Sequence, residues 1–189
     1  MKALEVEHDP EGPVIEAIQQ GDPQAMVELM NRHGRWVRGV IFAAAGRTDG
    51  VDDVAQRVWM QVWREARRLE DPSRWRVWLY RIARNAASDW ARAERRKGLF
   101  LARLWDRTAR HGQPDGDPAA KLIRDERDRA VMEAIASLPA IYREPFVLKH
   151  LEDWSYRQIG EALGLPVDTV ETRLVRARRL LRERLRGVL

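Results

Sequence analysis

Apolar residues in this chain recur at three- and four-residue spacings, and no stretch alternates with the two-residue period of a strand. The pattern predicts an all-α protein. Val14, Ile15, Ala17 and Ile18 open a short helix that Gly21-Asp22-Pro23 breaks. A second helix is expected over about 24–45, with Met26, Leu29, Met30, Val37, Val40 and Ile41 on its core face. A third, 52–69, turns Val54, Val58 and Val62 inward and sets Trp59 and Trp63 one turn apart. After the break at Asp71-Pro72-Ser73, a long helix follows over 74–97. Gly98, Gly112, Pro114, Gly116 and Pro118 then mark a linker, with helices expected beyond it near 119–137, 139–151, 155–163 and 166–186. The organisation that results is two small helical domains, 13–97 and 121–189. A flexible linker, 98–120, joins them, and an acidic flexible tail, 1–12, precedes them.

Charge sharpens this division. The net charge is +5, the sequence pI is about 10.0, and arginine far outnumbers lysine. A guanidinium fork matches phosphate oxygens two at a time, so this composition favours phosphate-bearing partners. Residues 1–30 carry one cation against seven acids, 61–97 carry eleven against five, and 154–189 carry eight against four. Two basic blocks on two units suit two separate nucleic-acid contacts.

The second block also contains a motif. Ser155 and Gln158 have the spacing of a capping box, Ile159 and Leu163 supply an apolar stripe, and Gly164 offers a tight turn into a final helix. This is a helix-turn-helix, whose second helix ordinarily enters the DNA major groove. On that helix Val170, Leu174, Ala177 and Leu181 share the core side. Thr169, Thr172, Arg176 and Arg179 face away, with Arg173 at the margin, as base-edge and phosphate contacts require. The solvated face of a terminal helix would show a similar pattern. Asp168 and Glu171 have capping-box spacing, so the acid at 171 is expected to hold the first turn. The competing account is that Glu171 accepts a hydrogen bond from a cytosine amino group or repels phosphate at a wrong register.

Two stretches then resemble one family. "SLPAIYREPFVLKHLEDWSYRQIGEALGLPVDTVETRLVRARRLL" resembles the promoter-binding fourth domain of the extracytoplasmic-function sigma factors of bacterial RNA polymerase. "VDDVAQRVWMQVWREARRLEDPSRWRVWLYRIARNAASDWARAERRK" resembles their second domain. The likeness covers about 13–186, in the same order and with a similar linker between.

The resemblance implies a factor that binds core polymerase and directs promoter-specific initiation, reading the −35 element as duplex and the −10 element as melted strand. Docking on the β′ clamp helices would fall to Asp52, Asp53, Gln56, Arg57 and Met60, and the β flap of core polymerase is a further expected contact. Asp52 and Asp53 also suit the start of a helix as caps or first-turn acids. Arg57 departs from the family, which usually has an acid there. The −10 strand would meet Arg74, Trp75, Arg81, Asn85, Ser88 and Arg92, with loop 69–74 forming the pocket for an everted base. Aromatics interleaved with cations suit single strands, although Trp59, Trp63 and Trp78 are expected in the core. The −35 duplex would meet Lys149, Thr169, Thr172, Arg173, Arg176 and Arg179. An anti-sigma factor is a further family expectation. Linker residues Phe100, Leu101, Leu104 and Trp105 would either thread toward the polymerase active centre or cover the interface between the domains.

Other chemistry finds little support. The chain has no cysteine and four scattered histidines, among them His111 in the linker, so no metal site or disulfide is expected. It shows no nucleophile–base set, carboxylate dyad or phosphate-cradling loop, so neither catalysis, cofactor nor small-molecule substrate is expected. No apolar run reaches membrane-spanning length and no signal-peptide pattern opens the chain, so membrane insertion is not expected and a cytoplasmic location is. The main alternative is a free-standing helix-turn-helix regulator that never docks on polymerase. It would need neither the 52–57 patch nor an aromatic-basic helix. A helical adaptor that binds only protein leaves the two basic blocks unexplained.

Overall fold

The computed structural model describes residues 11–106, 126–150 and 153–186, with side chains over 11–97, 130–150 and 153–186. Among these residues there are eight α-helices and no strand. Helix α1 (Gly12–Gln19) leads into α2 (Pro23–Ala45), whose N-cap Asp22 accepts a 2.8 Å hydrogen bond from the Gln24 amide. Pro23 costs nothing at this first position, where its missing N–H would have no partner. Helix α3 (Val51–Glu65) begins after Gly50, which stands at φ 73° and approaches the Trp90 ring too closely for a side chain. Turns of 3-10 helix at Ala66–Arg68 and Pro72–Arg74 bracket the loop before α4 (Trp75–Asp106).

Helix α4 runs on to Asp106, past the end expected at Lys97. A lone glycine in a helix costs about 1 kcal/mol, which long helices tolerate, and Gly98 did not act as a stop. Phe100, Leu101, Leu104 and Trp105 therefore lie on helical backbone rather than in an irregular linker. Most of the acidic tail, the rest of the linker with His111, and Leu151 fall outside the described residues.

Helices α1 to α4 close around Ile15, Leu29, Val37, Ile41, Val54, Val58, Leu79 and Ala83, all buried. Met30 and Trp63, expected in this core, are 38% and 41% exposed; they sit at the edge of their helices' apolar stripes. Trp59 is buried as expected, and Trp78 is partly so.

Helices α5 (Glu126–Ala136), α6 (Ala140–His150), α7 (Tyr156–Leu163) and α8 (Val167–Leu185) form the second unit. Ser155 and Gln158 make the reciprocal capping box at the start of α7. Gly164 ends that helix at φ 67°, and the Leu165 amide returns to the Gly160 carbonyl at 2.8 Å. A Cβ on Gly160 would lie 2.7 Å from the Leu165 oxygen, so this tight turn needs glycine there.

The two units share a core. Trp154 stacks on Trp36 of α2 with ring centroids 5.9 Å apart and meets Tyr80 of α4 at 5.8 Å. Phe42 and Ala43 of α2 pack with Leu138, Val147 and Leu181 of the second unit. Arg143 of α6, itself buried, donates from Nε to the Ala43 carbonyl at 2.6 Å and from Nη2 to Ala44 at 3.1 Å. Its Nη1 donates to Ala136 and Leu138, each at 2.7 Å. One guanidinium thus satisfies carbonyls at the C-terminal ends of α2 and α5, where helices leave acceptors unpaired.

Candidate nucleic-acid and polymerase interface

Three surfaces carry the residues singled out in the sequence. The first is on α3. Asp52, Asp53, Gln56, Arg57 and Met60 are all exposed, and the first three line a groove of about 480 Å³ against α2, with Met30 and Arg38 on its other wall. Arg38 donates to Asp52 at 2.7 Å, leaving the second oxygen of that carboxylate available. Asp52 and Asp53 lie in the first turn behind the N-cap Gly50, which forms no side-chain cap bond. They complement the helix dipole without capping. Arg57 faces solvent, its Nε 3.4 Å from the Asp53 carbonyl.

The second surface is the start of α4. Loop residues Leu69, Glu70 and Asp71, with Arg74, Trp78 and Arg81, line a recess of about 260 Å³. Asp71 holds the loop by accepting from the Ser73 amide at 3.0 Å and its hydroxyl at 2.6 Å, contacts that lower the carboxyl's pKa. Beyond the recess Arg81, Asn85 and Arg92 are exposed along one face, with Ser88 half-buried beside them. Trp75 is not on this surface. It is 1% exposed, and its ring lies against His33 and Trp36 in the core, so it has no face to offer a base. Trp78, one turn on, is the aromatic that reaches the recess.

The third surface belongs to α8. Thr169, Thr172, Arg173 and Arg176 line a hollow of about 330 Å³ shared with Ile141 and Tyr142 at the start of α6. Thr172 donates to the Asp168 carbonyl at 2.9 Å, which fixes its rotamer and leaves its oxygen free to accept. Arg179 lies outside the hollow, 3.7 Å from Glu183. Lys149 donates to the Trp154 carbonyl at 3.3 Å, with its ammonium 5.8 Å from the centre of the Tyr156 ring, which places it at the entry to the helix-turn-helix. The expected Asp168–Glu171 capping box is absent: the N-cap is Pro166, no side chain caps the helix, and only Asp168 lies in its first turn. Proline precedes Val167 and shifts the helix start two residues ahead of the register that a cap at 168 requires. Glu171 is simply exposed.

Four residues that the sequence does not single out tie the surfaces together. Glu144 of α6 is 7% exposed and accepts from the Tyr80 hydroxyl at 3.0 Å and from Arg84 Nε at 2.5 Å. Burial first, and then the Glu144 charge, push the Tyr80 phenol well above its ordinary pKa, so it remains a donor. Glu161 of α7 accepts from Arg74 at 2.6 Å. In sequence, Arg84, Glu144 and Glu161 look like ordinary surface charge; the one signal was the Arg143-Glu144 pair set within the apolar run of α6.

Comparison with known proteins identifies two regions of the chain. Residues 29–97 match the sigma-70 region 2 family and 128–181 match sigma-70 region 4. The ECF RNA polymerase sigma-E factor of Haemophilus influenzae is 29% identical over 182 residues, covering 93% of this chain and 95% of that protein. The ECF RNA polymerase sigma factor SigW of Bacillus subtilis is 27% identical over 92% of this chain and 96% of its own. Among solved structures, CnrH in complex with the cytosolic domain of CnrY aligns with TM-score 0.67 and 26% identity over 95% of this chain and 99% of that one. Two sigma regions in family order, on a fold that superposes along nearly its whole length, leave one assignment: the chain belongs to the extracytoplasmic-function sigma factors and acts as a sigma factor.

Proposed function

We propose that the α3 groove docks on the β′ clamp helices, that the α4 recess and the face beyond it hold the melted −10 strand, and that the α8 hollow reads the −35 duplex. The observation that carries this reading is that arginine-lined surfaces lie on two separate units, while the groove on α3 presents the carboxylates of Asp52 and Asp53 beside a single arginine, Arg38. On α4, Trp78 and the loop 69–74 offer a place for an everted base, Asn85 an amide for its edge, and Arg74, Arg81 and Arg92 charge for the backbone. On α8, Arg173 and Arg176 suit guanine edges or phosphate, and Thr169 and Thr172 supply hydroxyls. Lys149 adds a phosphate contact.

Elements centred about 25 base pairs apart lie about 85 Å apart along duplex DNA. A compact chain of 189 residues has a radius of gyration of about 16 Å, too small to reach both elements while its units stay packed, so the units separate on the promoter. A cytoplasmic location and an anti-sigma partner complete the reading; the mutual core of the two units offers such a partner a closed form to hold. Among the described residues no helix is long and apolar enough to cross a membrane.

The test is copurification with core polymerase followed by transcription. The full chain should bring core to discrete start sites, and Asn85→Ala or Arg176→Ala should weaken them while core binding persists. A chain that binds duplex DNA but never core would sink the proposal.

A further inference from the structure

Among the described residues, the ion pairs that cross between the two units are two, and they share a pattern. Each joins an arginine at or on α4 to a carboxylate of the second unit: Arg74 to Glu161 and Arg84 to Glu144. Arg74 lines the recess, and Arg84 stands one turn from both Arg81 and Ser88, at the flank of the same exposed face. The Glu144 carboxylate takes both Nε and Nη2 of Arg84, the two-pronged arrangement a guanidinium also makes with phosphate. Within the first unit the charge of Arg74 also acts on Asp71, but neither arginine forms an ion pair there among the described residues.

From this geometry we infer that Glu144 and Glu161 are phosphate surrogates: in the packed form they hold Arg84 and Arg74, and when the second unit swings away the promoter strand takes both cations. Arg84 is thereby a further strand-binding residue, withheld until the units part. The inference rests on the reading that α4 holds the −10 strand. It also gives the buried acid at 144 a role. A buried ion pair is poor value for stability, since desolvating both charges offsets most of their attraction. The same pair is useful if it must be exchanged for another of equal chemistry. Opening then loses two interactions that strand binding restores, so packing and strand binding exclude each other on these arginines.

The experiment uses the full chain, which has no native cysteine. Dyes on Arg64→Cys and Arg184→Cys, exposed sites on the two units, report separation by energy transfer while binding of a mixed-sequence 12-nucleotide single strand is followed. Glu144→Gln with Glu161→Gln should lower transfer and tighten strand binding; a closed form favoured ten to one makes the gain about tenfold. Glu161→Gln alone, at an exposed pair that cannot threaten folding, should move both readouts the same way and less far. In the opened double variant, Arg84→Ala should weaken binding and reduce the salt slope by about 0.7, the value for one lost single-strand phosphate contact. Lower transfer with unchanged strand affinity overturns the proposal. So does a silent Arg84→Ala where Arg81→Ala in the same background weakens binding. Silence of both arginine variants overturns the strand-binding reading of α4, and the proposal with it.

Discussion

The guanidinium of Arg143 occupies the space where a side chain on Gly46 would begin: a Cβ there would lie 2.5 Å from Nη1 and 2.7 Å from Cζ. Gly46 ends α2 at φ 72°, a left-handed conformation that also disfavours any other residue. Two independent constraints therefore meet at one position, one from its own backbone and one from the other unit. Gly46→Ala should lower the free energy of unfolding by roughly 1–3 kcal/mol from backbone strain, with a further loss as Arg143 is displaced from the carbonyls it serves. Urea denaturation of the two proteins checks this, and equal midpoints would contradict it.

That contact also shows where the sequence was legible and where it was not. Helix starts set by their own residues could be read directly: Asp22 before Pro23, and Ser155 with Gln158. Such signals act within one turn. Arg143 and Glu144 gave no comparable signal, because their partners Ala43 and Arg84 lie far away in the chain, and a charged pair in a helix usually faces water. Trp75 misled for a related reason. Its neighbours Arg74 and Arg76 made it look like part of a nucleic-acid surface, but helical phase turns it onto His33 and Trp36. Glu171 had the right spacing for a cap and the wrong register, since Pro166 starts the helix first.

The exposed cation at Arg57 bears on polymerase affinity. It stands one turn after Asp53 on the face proposed to meet the clamp. If the clamp surface is basic, as the family resemblance implies, like charges there cost affinity. Arg57→Glu should therefore bind core more tightly, an effect seen in competition against a labelled sigma factor. Unchanged or weaker binding would argue that Arg57 makes a favourable contact.

The α8 hollow makes two different demands. Arg173→Ala and Arg176→Ala should each weaken −35 duplex binding by roughly 1–3 kcal/mol if they read bases, and by less if they touch only phosphate. Glu171 makes no capping bond, so Glu171→Lys should leave thermal stability nearly unchanged. It should strengthen binding to all duplexes alike and steepen the salt slope by about 0.9. A changed base preference at one −35 position, read by promoter selection, would instead assign Glu171 a base contact.

Two histidines give the fold a pH dependence. His33 is lowered from 6.5 chiefly by burial; Glu11 opposes this, with an oxygen 3.1 Å from Nε2 but off the line of a good hydrogen bond, while Arg76 and Arg32 add to it. His150 is lowered by burial and then by Arg178 and Lys149, against Asp153. Because both pKa values are depressed on folding, the unfolded chain takes up the protons first. Their contribution to stability is present above about pH 6.5 and is lost as pH falls through the folded values. The melting temperature should therefore drop between about pH 7 and pH 5, with a shallower slope in His33→Gln if that variant folds. A flat profile through this range would count against both assignments.

Transcription with purified components shows whether one chain couples core polymerase to two promoter elements through α3, α4 and α8. Core polymerase, the full chain and fragmented genomic DNA are incubated with nucleotides, and the 5′ ends of the transcripts are sequenced. A small set of start sites absent with core alone is expected, sharing one upstream duplex element and one melted element, and weakened with Asn85→Ala or Arg176→Ala. The same scattered starts with and without the chain would contradict it.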